Sequence, residues 1–183
     1  SYGFVGPNGC GKSVFFKTLC GYSLLTEGQV IYRGKIIGKE QDFIDDAGIV
    51  IEEPEFINSL SGLENLKILA EIQKKISEAE IIEVLKQFDL YEDRNKKVGK
   101  YSVGMKQKLR LAQAVMEKPQ VLILDEPMNG LDKKSVKKVE DILKAFVENG
   151  GTLLMTSHIE QQVEACCKIV YEIDGGEILR VTD

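Results

Sequence analysis

The chain sets short, almost wholly apolar runs against longer amphipathic ones, with polar or glycine-rich stretches between them. Tyr2–Val5, residues 47–51, Val121–Leu124 and residues 152–156 are the short apolar runs. Runs of this length and uniformity predict strands covered on both faces, as in a parallel sheet. Between them the apolar positions recur at helical spacing. Residues 14–19 predict a largely buried helix. Leu63, Leu66, Leu69, Ile72 and Ile76 mark a second, opened by the capping box at Ser61 and Glu64. Ser77 and Glu80 open a third, carrying Ile81, Ile82, Leu85 and Phe88. Leu109, Ala112 and Met116 share one face of a helix over 106–116, and Val136, Val139, Ile142, Leu143 and Phe146 mark one that stops at Gly150-Gly151. Ser157 to Glu160 reads as the cap of a last helix. Two hairpins are expected, one over about 28–37 around Gly34 and one around Gly175-Gly176. Residues 52–60, with Pro54 and Asn58, and the polar stretch 89–100 read as loops.

This order predicts an α/β fold with a mostly parallel sheet. Helices without strands between 61 and 102 interrupt the alternation and read as an inserted α-helical subdomain. Residues 1–60 and 103–183 then form the core.

The first strand runs into Gly6-Pro7-Asn8-Gly9-Cys10-Gly11-Lys12-Ser13, which fits G-x-x-x-x-G-K-[ST], the phosphate-binding loop. Its small residues let successive backbone N–H groups cradle phosphate oxygens, and the helix behind them adds its positive end. Lys12 can reach the β- and γ-phosphates and Ser13 can ligate Mg²⁺. Val14 follows in the first turn of that helix. The core is therefore expected to be a RecA-like P-loop NTPase, with ATP and Mg²⁺ as its ligands. The strand 121–124 ends in Asp125-Glu126-Pro127, where open α/β sheets bind ligands. Asp125 can hold the metal and Glu126 can orient or deprotonate a water. An acidic helix cap or turn is the plainer reading of the same pair. His158, the single histidine, stands one residue beyond a strand end and could face the γ-phosphate, although a lone histidine is more often structural.

Charge and cysteines narrow the classes. The 24 basic and 29 acidic residues give −5, which disfavours a general nucleic-acid binder. The four cysteines include no C-x-x-C pair, so a zinc site or disulfide framework is not indicated, and a reducing cytoplasm is the simplest context. Cys10 lies in the anion-binding loop beside Lys12, where positive potential favours a reactive thiolate. No apolar run has the length of a transmembrane helix, so membrane association is expected through a partner. The chain has no initiator Met and opens directly in a strand, which reads as a fragment.

Residues 6–13, Tyr101-Ser102-Val103-Gly104-Met105, the strand 121–124 with Asp125-Glu126, Asn129-Gly130-Leu131-Asp132 and His158 occur in the order and spacing of ATP-binding cassette (ABC) ATPases. They resemble that family's Walker A loop, signature, Walker B strand, D-loop and switch histidine, across essentially the whole chain. Two departures stand out. The signature keeps Ser102 and Gly104 but not the usual flanks, and the family's Q-loop glutamine aligns with Glu52. Glu52-Glu53-Pro54 and Tyr-Ser-Val-Gly-Met resemble ATPases of bacitracin- or lantibiotic-type exporters.

The resemblance implies ATP hydrolysis that drives a membrane subunit. Two cassettes, as a homodimer or heterodimer, close head to tail around two ATP molecules. Lys12, Glu126 and His158 would be catalytic. Residues 6–14 with Ser102 and Gly104 would bind nucleotide, the last two as a second anion site at a helix start. Ser13, Glu52 and Asp125 would hold the metal. The protein would sit on the inner face of the cell membrane through its membrane subunit, with no nucleic acid bound. The family's adenine-stacking aromatic and first strands would lie upstream of residue 1. Two other readings stay open at this stage: an ABC-type ATPase of translation or DNA maintenance, and a P-loop small-molecule kinase.

Overall fold

The computed structural model describes residues 1–52 and 56–181. Glu53 and Pro54, part of the expected loop, lie outside the described residues. In chain order the first half runs β1 (Tyr2–Val5), α1 (Lys12–Cys20), β2 (Ile31–Tyr32), β3 (Lys35–Ile36), β4 (Ala47–Val50), α2 (Gly62–Gln73) and α3 (Glu78–Gln87). The second half runs α4 (Val103–Val115), β5 (Val121–Leu124), α5 (Lys133–Glu148), β6 (Thr152–Ser157), α6 (Glu160–Cys166), β7 (Ile169–Asp174) and β8 (Glu177–Arg180).

Six strands form one sheet in the order β4-β5-β6-β1-β7-β8. The first five are parallel, and β8 folds back antiparallel on β7. The expected mostly parallel α/β sheet is thus present. β2 and β3 pair separately through Arg33 and Gly34, both with positive φ (50° and 81°), a two-residue turn whose twist suits a hairpin.

Strand alternation divides the core between the two faces of the sheet. Leu122 and Leu124 of β5 enter a larger cluster with Leu153, Met155, Leu109, Leu143 and Val163, against α4, α5 and α6. Ile123 enters a smaller one with Phe4, Phe16, Cys20 and Ile173, against α1. Phe4 anchors the smaller cluster, its ring 5.1 Å from Phe15, 5.5 Å from Phe16 and 5.5 Å from Tyr171. The larger cluster continues into α2 and α3 through Leu66, Ile81 and Leu85.

Both expected capping boxes form: Ser61 with Glu64 and Ser77 with Glu80. Asn65 adds a buried clasp, exchanging hydrogen bonds with the backbone of Ile57 (2.8 and 3.1 Å) and pinning the segment before α2.

Four local expectations need correction. α1 is not largely buried: Phe16 and Cys20 are inside but Val14 is 61% exposed. Ile72 is 74% exposed although it lies within α2, and Ile76 reaches the core from beyond the helix, which stops at Gln73 with Lys74 left-handed (φ 55°). The polar stretch 89–100 hides two anchors, Leu90 and Val98, the latter in a single 3-10 turn. The residue that caps α6 is Ile159, without a side-chain bond, while Ser157 accepts from Ile159 N–H (3.0 Å) and donates to Gln162 (2.9 Å). No helix among the described residues is long and apolar enough to cross a membrane.

Because β4, β5, β6 and β1 are parallel, their carboxyl ends share one edge of the sheet, and the functional residues follow those ends. Gly48 lets α4 lie close on β4: a Cβ there would stand 2.0 Å from the Ala114 carbonyl oxygen. Gly48→Ala should therefore force the helix off the strand and cost about 1–3 kcal/mol. Urea unfolding of the variant should show a lower midpoint at unchanged slope, and an unchanged midpoint would show that the contact yields freely.

Candidate active site

β1 ends at Val5, and α1 begins at Lys12. The six residues between turn sharply, with φ of 154°, 83° and 107° at Gly6, Gly9 and Gly11. Cys10 N–H donates to Pro7 O (3.3 Å). Gly11 caps α1 without a side-chain bond, and the first helical bond is Phe15 N–H to Gly11 O (2.9 Å). The N–H groups of Lys12, Ser13 and Val14 therefore precede the helix's own bonding, as at any helix start. A Cβ at Gly9 or Gly11 would meet nothing within 4 Å, so the cradle is open on that side. Pro7, Asn8 and Gly9 are exposed. Lys12 is only 6% exposed, and its ammonium folds back to donate to Gly6 O (2.8 Å) and Pro7 O (3.1 Å).

The other groups come from β5 and β6. Leu124 pairs with Met155, so Asp125 stands level with Thr156, whose strand partner on β1 is Phe4. Ser13 Oγ donates to Asp125 Oδ2 at 2.5 Å, and Thr156 Oγ1 donates to Asp125 Oδ1 at 2.5 Å. Thr156 Oγ1 also accepts from Glu126 N–H (2.9 Å). Glu126 is left-handed, φ 48°. One of its oxygens lies 2.9 Å from His158 Nδ1. The other, Oε1, is 4.0 Å from the Lys12 ammonium and is buried without a hydrogen-bond partner.

Lys12, Ser13, Asp125, Glu126 and His158 thus meet at one place. Glu52, Ser102 and Gly104 stand apart from this cluster. Glu52, two residues past β4 and also left-handed (φ 59°), pairs with the Lys17 ammonium one turn beyond Ser13 on α1. Ser102 caps α4, its Oγ accepting from Met105 N–H (3.2 Å). The neighbours of Gly104 are Gly130 and Leu131, in the segment that ends at Asp132. Asp132 caps α5, and the bond it accepts from Ser135 N–H (3.0 Å) holds its carboxyl below the usual range.

Two residues of the site escape sequence reasoning. Thr156 reads only as the end of a strand, and Gln107 only as a polar position on a helix. Gln107 is buried and donates to Pro127 O (2.8 Å). Thr156 carried one signal, a hydroxyl directly after the apolar run 153–155, whereas Gln107 lies between Lys106 and Lys108 and carried none.

Burial separates the cysteines. Cys20, Cys166 and Cys167 are buried, and burial pushes each thiol up to about 12, whereas Cys10 is half-exposed. Among the described residues no group of three His, Cys, Asp or Glu could hold a metal.

The family model described as ABC transporter matches residues 1–129. The chain is 37% identical over 177 residues to the uncharacterized ABC transporter ATP-binding protein YybJ of Bacillus subtilis, covering 97% of this chain and 81% of that protein. It is 34% identical over 178 residues to the lantibiotic transport ATP-binding protein SrtF of Streptococcus pyogenes, covering 97% and 76%. It is 33% identical over 180 residues to the bacitracin transport ATP-binding protein BcrA of Enterococcus faecalis, covering 97% of this chain but 58% of that one. In three dimensions it resembles the dimeric structure of MJ0796, a bacterial ABC transporter cassette, with a TM-score of 0.85 at 22% identity, over 100% of this chain and 85% of the other. The small-molecule kinase reading falls with these matches. The chain belongs to the ABC transporter family, as an ATP-binding cassette, the domain that hydrolyses ATP in such transporters.

Proposed function

We propose that this cassette powers an exporter of antimicrobial peptides or similar substrates, and that Glu126 is the group that readies water for attack on ATP. The contact between Ser13 and Asp125, with the open oxygen of Glu126 beside it, carries the chemical reading. The substrate class is supported by the relatives named for lantibiotic and bacitracin transport and by the Glu52-Glu53-Pro54 and Tyr-Ser-Val-Gly-Met sequences.

The residues fit the ligands. The uncapped start of α1 and the glycine cradle suit phosphate oxygens. Ser13 and Asp125 offer two oxygen donors side by side, which suits Mg²⁺, usually held by one or two carboxylates together with phosphates and water. When bound, Mg²⁺ neutralises charge building on the β- and γ-phosphates. Lys12 exchanges the Gly6 and Pro7 carbonyls for phosphate oxygens. Glu126 accepts a water proton at Oε1, and His158 Nδ1 steadies its other oxygen. Ser102 and the N–H groups near Gly104 offer a second anion site to the nucleotide of a partner cassette, in a homodimer or heterodimer. α2, α3 and residues 56–60 face a transmembrane subunit, which holds the cassette at the inner face of the membrane.

Three outcomes test this in the full chain. Glu126→Gln should lower phosphate release about 10²- to 10⁴-fold while ATP binding persists, and wild-type turnover would place the base elsewhere. Maleimide should label Cys10 and spare the three buried cysteines, with Mg-ATP protecting, whereas equal labelling with and without nucleotide would put Cys10 outside the cradle. Glu52→Gln should raise the Mg²⁺ concentration for half-maximal turnover, because a carboxylate that leaves Lys17 for the metal adds a full charge to its ligands. Superimposable magnesium titrations would mean that Glu52 stays with Lys17.

A further inference from the structure

Gln107, a buried polar residue on α4 (5% exposed), has no part in the chemistry above. Its Nε2 donates to Pro127 O at 2.8 Å and lies 3.5 Å from Glu126 O. Its Oε1 accepts from the buried Arg110 at 3.0 Å. A guanidinium only donates, so this contact fixes which end of the amide faces the strand end. Glu126 is thereby held from both sides: Thr156 takes its N–H, and Gln107 binds on the carbonyl side. A left-handed glutamate persists only where its surroundings over-determine it.

We propose that Gln107 is a positioning residue: its hydrogen bond to the Pro127 carbonyl keeps Glu126 left-handed and its carboxylate aimed at Lys12 and His158. The proposal rests on the reading of Glu126 given above.

His158 is the only histidine, so its imidazole resonances report on the carboxylate 2.9 Å away. In the full chain without nucleotide, Gln107→Met should move those resonances in the direction that Glu126→Gln moves them. It should also lower kcat roughly 10- to 100-fold with KM for ATP within about twofold. Gln107→Glu keeps an oxygen toward Arg110 but loses the donor toward Pro127, and should do the same even if the methionine variant folds poorly. Unmoved His158 resonances in either folded variant overturn the proposal, as does wild-type kcat in either when Glu126→Gln itself slows turnover. If Glu126→Gln turns over normally while Gln107→Glu still moves the resonances, the role of Glu126 fails and the hold of Gln107 on it stands.

Discussion

Asp125 is where the fold is tied. Its N–H donates to Val50 O on β4 (2.7 Å), Oδ2 takes the Ser13 hydroxyl of α1, and Oδ1 takes the Thr156 hydroxyl of β6. One residue at the end of β5 thus joins three other elements. Both side-chain bonds are charge-assisted, roughly twice as strong as neutral ones. Loss of the carboxylate would leave two donors without their acceptor, at about 1–3 kcal/mol for each that is buried. The same knot sets the geometry of the cradle, because Ser13 fixes the first turn of α1 against β5.

Much of this was legible because the signals are local. The four apolar runs are strands because they are buried from both sides, and β5 shows why: its residues alternate between two cores, so none can be polar. The phosphate loop, the Asp125-Glu126 pair and His158 each follow a strand end, so a correct reading of the strands brought the site with it. The capping boxes were legible for the same reason, since each partner lies three residues away.

What stayed hidden depends on contacts that no local pattern records. Thr156 serves as a ligand to Asp125 only because the β5–β6 register sets them level. Gln107 matters because α4 crosses beside Pro127, and the close passage of α4 needs Gly48 on a different strand. Val14 and Ile72 misled in the opposite sense. Helical spacing marks a stripe but not where the helix stops or how much of its first turn stays open, so apolar residues at both places lie in solvent. Glu52 was legible by position, yet its present partner, Lys17, comes from a helix 35 residues earlier.

The charges at the knot are unevenly matched. One ammonium, Lys12, stands among two carboxylates, Asp125 and Glu126, with Lys12 bound to loop carbonyls and 4.0 Å from Glu126. Asp125 is satisfied by hydroxyls, which stabilise its charge without cancelling it. The Lys12 ammonium is thus outnumbered by the two carboxylates, and the loop amides and helix end contribute partial positive charges only. A bare polyphosphate would meet repulsion that a divalent cation removes. The hydroxyl partners thus leave the Asp125 charge uncancelled, where a lysine partner would neutralise it.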